Sequence, residues 1–146
     1  MNMFDGRKSN AIKIDRIQPA GMNVRMQQGK PAYSHVVTVV GPGKTIYIAG
    51  QLARDPEGDI VGPGDMGAQV EQTFKNLDAC LEAAGSTWAD VVKTNTFVTD
   101  YQAFSHCSDV RMRYFGMATP TSTTIRISGL AQPDAMVETE MIAVVE

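Results

Sequence analysis

The segment His35-Val36-Val37-Thr38-Val39-Val40 is β-branched and apolar on both of its faces, and it constrains the fold more than any other stretch. Alternate side chains of a strand point to opposite sides. His35, Val37 and Val39 therefore share one face, and Val36, Thr38 and Val40 the other. A strand apolar on both faces is expected to be covered on both. Gly41-Pro42-Gly43-Lys44 is turn chemistry, and Thr45-Ile46-Tyr47-Ile48-Ala49-Gly50 reads as a second strand. The two runs predict a hairpin.

Only two helical segments are available to cover it. Val70, Phe74, Leu77 and Leu81 recur at i, i+4, i+7 and i+11, one apolar stripe on a helix that starts at Asp65 and closes at Gly85. Asp100 caps a second helix, with Phe104, Cys107, Val110 or Arg111, and Tyr114 on its inner side. Gly116 and Pro120 end it. Between the helices, Trp88 sits in a short connection and Val91 to Thr99 is β-rich. Strands are expected at about 123–128 and 136–145. Ahead of the hairpin, Ala11 to Ile17 alternates apolar and polar as a half-buried strand would, and Pro19, Gly21 and Gly29 interrupt the stretch between that strand and the hairpin. The order β-β-β-α-β-α-β-β predicts an α+β fold, a six-stranded mixed sheet with two helices on one face. No element remains for the other face, so self-association is the economical way to cover it. We divide the chain into an N-terminal arm, 1–30, and one domain, 31–146.

The 146 residues suit a single core. The net charge of −3 leaves no basic footprint for nucleic acid. No 18-residue apolar run and no signal peptide are present, so neither a membrane nor secretion is expected and a cytoplasmic location is. Cys80, Cys107, His35 and His106 show no metal-ligand spacing. The two cysteines read as buried or half-buried thiols in a reducing compartment. On the last strand, Glu138 and Glu140 share a face with Ile142 and Val144. Carboxylates placed there need a partner, a cleft or a subunit boundary.

Several strings, in order, resemble the RidA/YjgF family, also called the L-PSP endoribonuclease family. They are Pro31-Ala32-Tyr33-Ser34, Ile48-Ala49-Gly50-Gln51, Gln69 with Asn76-Leu77, Ala83-Ala84-Gly85, Asp90 to Thr94, Phe97 to Asp100, Phe104, Tyr114-Phe115 with Pro120, and Val137 to Ala143. The resemblance covers about residues 31–145. It implies a chorismate-mutase-like fold, a homotrimer whose sheets form a central barrel, and clefts between subunits. Family members of known chemistry hydrolyse reactive enamines and imines there to 2-keto acids and ammonia, without a cofactor.

Carried over residue by residue, the resemblance puts Tyr33, Gly50 and Gln51 at the cleft, and Glu138 as the acid that positions a catalytic water. The family asparagine falls on Ser108 and the family cysteine on Thr124. The arginine that holds the substrate carboxylate falls on Ser122. Arginine suits that task because its planar fork matches a carboxylate. Each charge-assisted bond contributes roughly 1.5–3 kcal/mol, so one lost contact predicts binding weaker by about tenfold to a few hundredfold. The expectation is therefore a member without the standard 2-imino acid deamination.

Plainer readings stand beside these. Ser122, Thr124 and Arg126 lie on one strand face, so Arg126 either reaches the cleft or pairs with Glu138 or Glu140. Glu138 is a general base on water or an ion-pair partner at a subunit boundary. Tyr33 is a ligand contact or a packing residue. His35 and His106 read as peripheral. Ser122 and Thr124 as cleft walls would make a polar, uncharged pocket, suited to a ligand other than a simple amino-acid-derived carboxylate. Two functions are compatible with these residues: a small-metabolite hydrolase with an unusual substrate, or a non-catalytic trimeric module that binds a small molecule. The acidic balance argues against ribonuclease.

Overall fold

The structure is a computed structural model and describes residues 11–146. Helix α1 (Met66–Ala83) begins where the sequence places it, because the Asp65 side chain accepts from the Ala68 backbone N–H at 3.1 Å. It ends at Gly85, which takes a positive φ of 72° that a side chain would disfavour. Val70, Phe74, Leu77 and Leu81 are all buried, as their spacing requires. They pack on Ile46 and Ile48 of β5 (Lys44–Gln51), Val91 and Val98 of β6 (Val91–Val98), and Val137, Met141 and Ala143 of β8 (Val137–Val145). Burying one such side chain contributes about 1.5–3 kcal/mol. Trp88 completes this core. Its ring stacks on Phe74 at 5.3 Å and its Nε1 donates to Asp78 at 2.7 Å.

One polar residue belongs to the same packing. Gln69 is fully buried, and its Nε2 donates to the carbonyls of Gly62 and Asp134. Its Oε1 accepts from the Met136 N–H. Two of these hydrogen bonds tie α1 to the segment that enters β8, and the third ties it to the loop before α1.

The main sheet has four strands in the order β5-β8-β6-β7, with β7 at Thr121–Arg126. β8 is antiparallel to both neighbours, and β6 and β7 run parallel. Two short helices, α2 (Tyr101–Ser105) and α3 (Ser108–Phe115), connect them. The apolar spacing predicts one helix here, and the structure divides it. The Ser105 hydroxyl donates to the Gln102 carbonyl, and His106, Cys107 and Val110 each bond three residues back, so the helix tightens and breaks there.

The expected six-stranded sheet and its hairpin are corrected too. β4 (Val36–Val40) pairs with β1 (Lys13–Ile17), while β5 pairs with β8, so the two arms of the hairpin fall in different sheets. The turn between them is held elsewhere. A Cβ on Gly43 would collide with Ile12 and the Val145 carbonyl, which shows how closely this turn is wedged between the start of β1 and the end of β8. β4 also has one exposed face, Val36, Thr38 and Val40, where cover on both was expected. A third pairing joins β2 (Met26–Gln27) to β3 (Lys30–Pro31). Of the proposed arm, 1–10 lie outside the described residues, whereas β1 ties the following segment to the domain.

Candidate functional site

Strand register sorts the candidate residues onto two faces. Cross-strand partners share a face. Thr96 of β6 pairs with Thr124 on one side and Thr139 on the other, and the Thr96 and Thr139 hydroxyls lie 3.0 Å apart, both buried. Ser122 pairs with buried Thr94. Ser122 and Thr124 therefore stand on the helix-covered face. Glu138 pairs with Phe97 and Glu140 with Asn95, one residue out of step, so both glutamates stand on the open face. Glu138 is half-buried and Glu140 is exposed, accepting from the Asn95 Nδ2 at 3.0 Å.

Gly50 and Glu138 lie together, as the carried-over pattern requires. The β5–β8 register slips between Ile48 and Gln51, a bulge that centres on Ala49 and Gly50. A Cβ built on Gly50 would land on the Glu138 carboxylate, so glycine allows that side chain to lie across the bulge. Gln51 is paired with Thr139, and its Nε2 returns to the Ala49 carbonyl at 3.0 Å. The open face also carries a cavity of about 380 Å³ beside Tyr47, Lys93, Glu140 and Ile142. Tyr47 is 77% exposed there.

On the helix-covered face, Tyr33, Ser122 and Thr124 line one cavity of about 250 Å³. Ser108 lines an adjoining hollow that shares Thr124. The cavity is not the uncharged pocket that the hydroxyls suggested. Arg25 and Arg111 both line it, with Gln27 and Tyr101. Burial, and then the neighbouring charge of Arg25, lower the pKa of the Arg111 guanidinium to about 10, which leaves it cationic at neutral pH. Its Nη2 is buried without a hydrogen-bond partner among the described residues. Cys107, at the edge of the adjoining hollow, has its thiol pushed up by burial first and by Asp109 and Asp65 next, so it is a poor nucleophile.

Arg126 joins neither group. It is exposed, lines none of these cavities and has no ion pair among the described residues. β7 is an edge strand, and Arg126 is its last residue. His35 donates its backbone N–H to Gln18, and His106 is exposed beyond α2. Sequence reasoning missed Arg25, Gln27 and Tyr101. For Arg111 one signal existed: a cation four residues after Cys107 on an apolar helix face.

Comparison with known proteins agrees with this architecture. The family model described as Endoribonuclease L-PSP matches residues 26–145. A RutC family protein from Pyrococcus abyssi is 34% identical over 111 residues, covering 76% of this chain and 84% of its own length. A 2-iminobutanoate/2-iminopropanoate deaminase from Rattus norvegicus is 33% identical over 113 residues, covering 77% of this chain and 80% of its own. Among solved structures, YyfB of the conserved Rid protein family from Yersinia pestis, a protein of unknown function, aligns with a TM-score of 0.77 and 31% identity. That alignment covers 90% of this chain and 98% of the other.

Proposed function

The chain belongs to the RidA/YjgF family, and on that premise we propose that it is a cofactor-free hydrolase of small imine- or enamine-type metabolites, acting in clefts between the subunits of a homotrimer. The observation that carries this reading is the division of candidate residues between two sheet faces. Glu138 over Gly50 lies on the open face, whereas Tyr33, Ser122 and Thr124 lie on the covered one. One chain cannot bring these groups to one ligand. A second copy, laid against the open face, can present its own Glu138 at the mouth of the first copy's cavity. The exposure of Tyr47 on that face supports such cover.

In that cleft Glu138 takes a proton from water as the oxygen adds to the imine carbon. That proton passes to nitrogen and leaves a carbinolamine; the carboxylate then takes the hydroxyl proton and gives it to nitrogen too, so the C–N bond breaks, ammonia leaves and the C=O bond forms. The Gly50 bulge aims the carboxylate, and the hydroxyls of Ser122 and Thr124 and the Tyr33 ring shape the other wall. With serine at 122, hydrolysis of standard 2-imino acids, such as those formed from 2-aminoacrylate, is expected to be slower than in arginine-containing relatives.

Two measurements test the reading. Light scattering should give a mass near three times that of the chain; a monomer at micromolar concentration would remove the clefts. Keto-acid release should fall at least about a hundredfold in Glu138→Gln, the loss expected for a general base. Ser122 also favours a second reading, a trimeric module that binds a small molecule without turning it over. Turnover that survives Glu138→Gln unaltered, or is absent from the native chain, selects against catalysis by this carboxylate.

A further inference from the structure

Arg111 and Arg25 are two cations in one small cavity, and among the described residues neither has a carboxylate partner. Arg25 is held by its Nη1, which donates to the Tyr101 hydroxyl at 2.7 Å. Arg111 lies with its Cζ 5.7 Å from the Phe115 ring centroid, a cation–π contact that steadies the guanidinium but leaves its in-plane donors free. Its Nη2 is an orphaned buried donor. A buried donor on a charged group is costly to leave unmade, and a second positive charge nearby adds to the cost. Both costs are relieved by one event, the arrival of an anion.

The same cavity holds an orphan of the opposite kind. Gln27 Oε1 is buried and accepts from nothing among the described residues. A ligand that satisfies both atoms carries anionic oxygens and, close to them, an N–H or O–H group. A carboxylate is the anion best matched to a guanidinium fork, and about 250 Å³ limits the ligand to metabolite size.

We infer that Arg111, supported by Arg25, is the carboxylate anchor of this cavity, so that the loss of arginine at position 122 moves the anchor from the strand to α3 and does not abolish it. The ligand is then a small carboxylic acid bearing a donor group that faces Gln27. This rests on the cleft reading above for its metabolic sense, but as a binding site it stands on the cavity alone.

The test is calorimetric titration of the full chain with 2-hydroxybutanoate, whose hydroxyl can donate to Gln27, its neutral methyl ester and inorganic phosphate. The acid should bind at least about tenfold more tightly than the ester, one lost charge-assisted bond. Arg111→Gln should weaken acid binding until that difference is lost. Arg111→Lys keeps the charge without the fork, and should retain only part of the preference. Equal binding of acid and ester, preference for phosphate, no acid binding, or an unchanged preference in Arg111→Gln would each overturn the assignment. If Arg111→Gln alters the assembly mass, the arginine serves a subunit contact and the assignment also fails. Glu138→Gln separates the two proposals, since it should abolish turnover while acid binding persists. A native chain that binds the acid through Arg111 but hydrolyses nothing would refute the hydrolase and keep the anchor.

Discussion

Gln69 and Arg111 are both long polar side chains on helices, turned toward the same sheet, yet their surroundings differ. Gln69 is fully buried and spends its amide on three backbone partners, two carbonyls and one N–H. Arg111 is half-buried, reaches a cavity, and leaves Nη2 without a partner among the described residues. A satisfied buried polar group ties elements together. An unsatisfied one held beside a hollow marks a place where something else completes the bonding. The difference separates a structural residue from a binding one without reference to any relative.

The comparison breaks first at Gln69. Replacing it with leucine removes the partner of three partly buried backbone groups, at about 1–3 kcal/mol for each that water does not reach, so Gln69→Leu should lose about 2–3 kcal/mol in denaturant unfolding. A loss under about 1 kcal/mol would mean that those bonds are not what joins α1 to β8. Arg111→Met should do the opposite. It removes a buried cation that lacks a partner, so stability should stay within about 1 kcal/mol of native or rise. Both variants belong at one protomer concentration, because assembly shifts apparent stability. If Arg111→Met costs as much as Gln69→Leu, the two residues are of one kind and the cavity loses its meaning.

Much of the fold was legible in the sequence because its causes are local. The α1 stripe, the Asp65 cap and the Gly85 stop depend on residues within a few positions of one another, and each stands where its spacing put it. β8 was legible to within a residue, and Glu138 and Glu140 do share its open face. The second helix misread because the Ser105 hydroxyl competes for a backbone carbonyl, a choice that apolar spacing does not register. The hairpin misread because Gly41-Pro42-Gly43 permits a tight turn without requiring one, and β1 offered β4 another edge.

The site divided along the same line. The resemblance carried Gly50, Glu138, Tyr33, Ser122 and Thr124 to one cleft, whereas the structure puts Gly50 beside Glu138 and sets Tyr33, Ser122 and Thr124 together elsewhere. That the two groups occupy opposite faces depends on register, which is fixed only when β6, β7 and β8 pair. Arg25 and Arg111 converge from distant parts of the chain, and their charges matter because the packing leaves them near each other and away from any carboxylate among the described residues. By itself the sequence determined α1 with its apolar side and caps, the place of β8 and the family, since periodicity, caps and short motifs act between near neighbours. Only the tertiary structure decided which polar groups lie buried and whether they are satisfied, because desolvation is set by what the rest of the chain brings to their side.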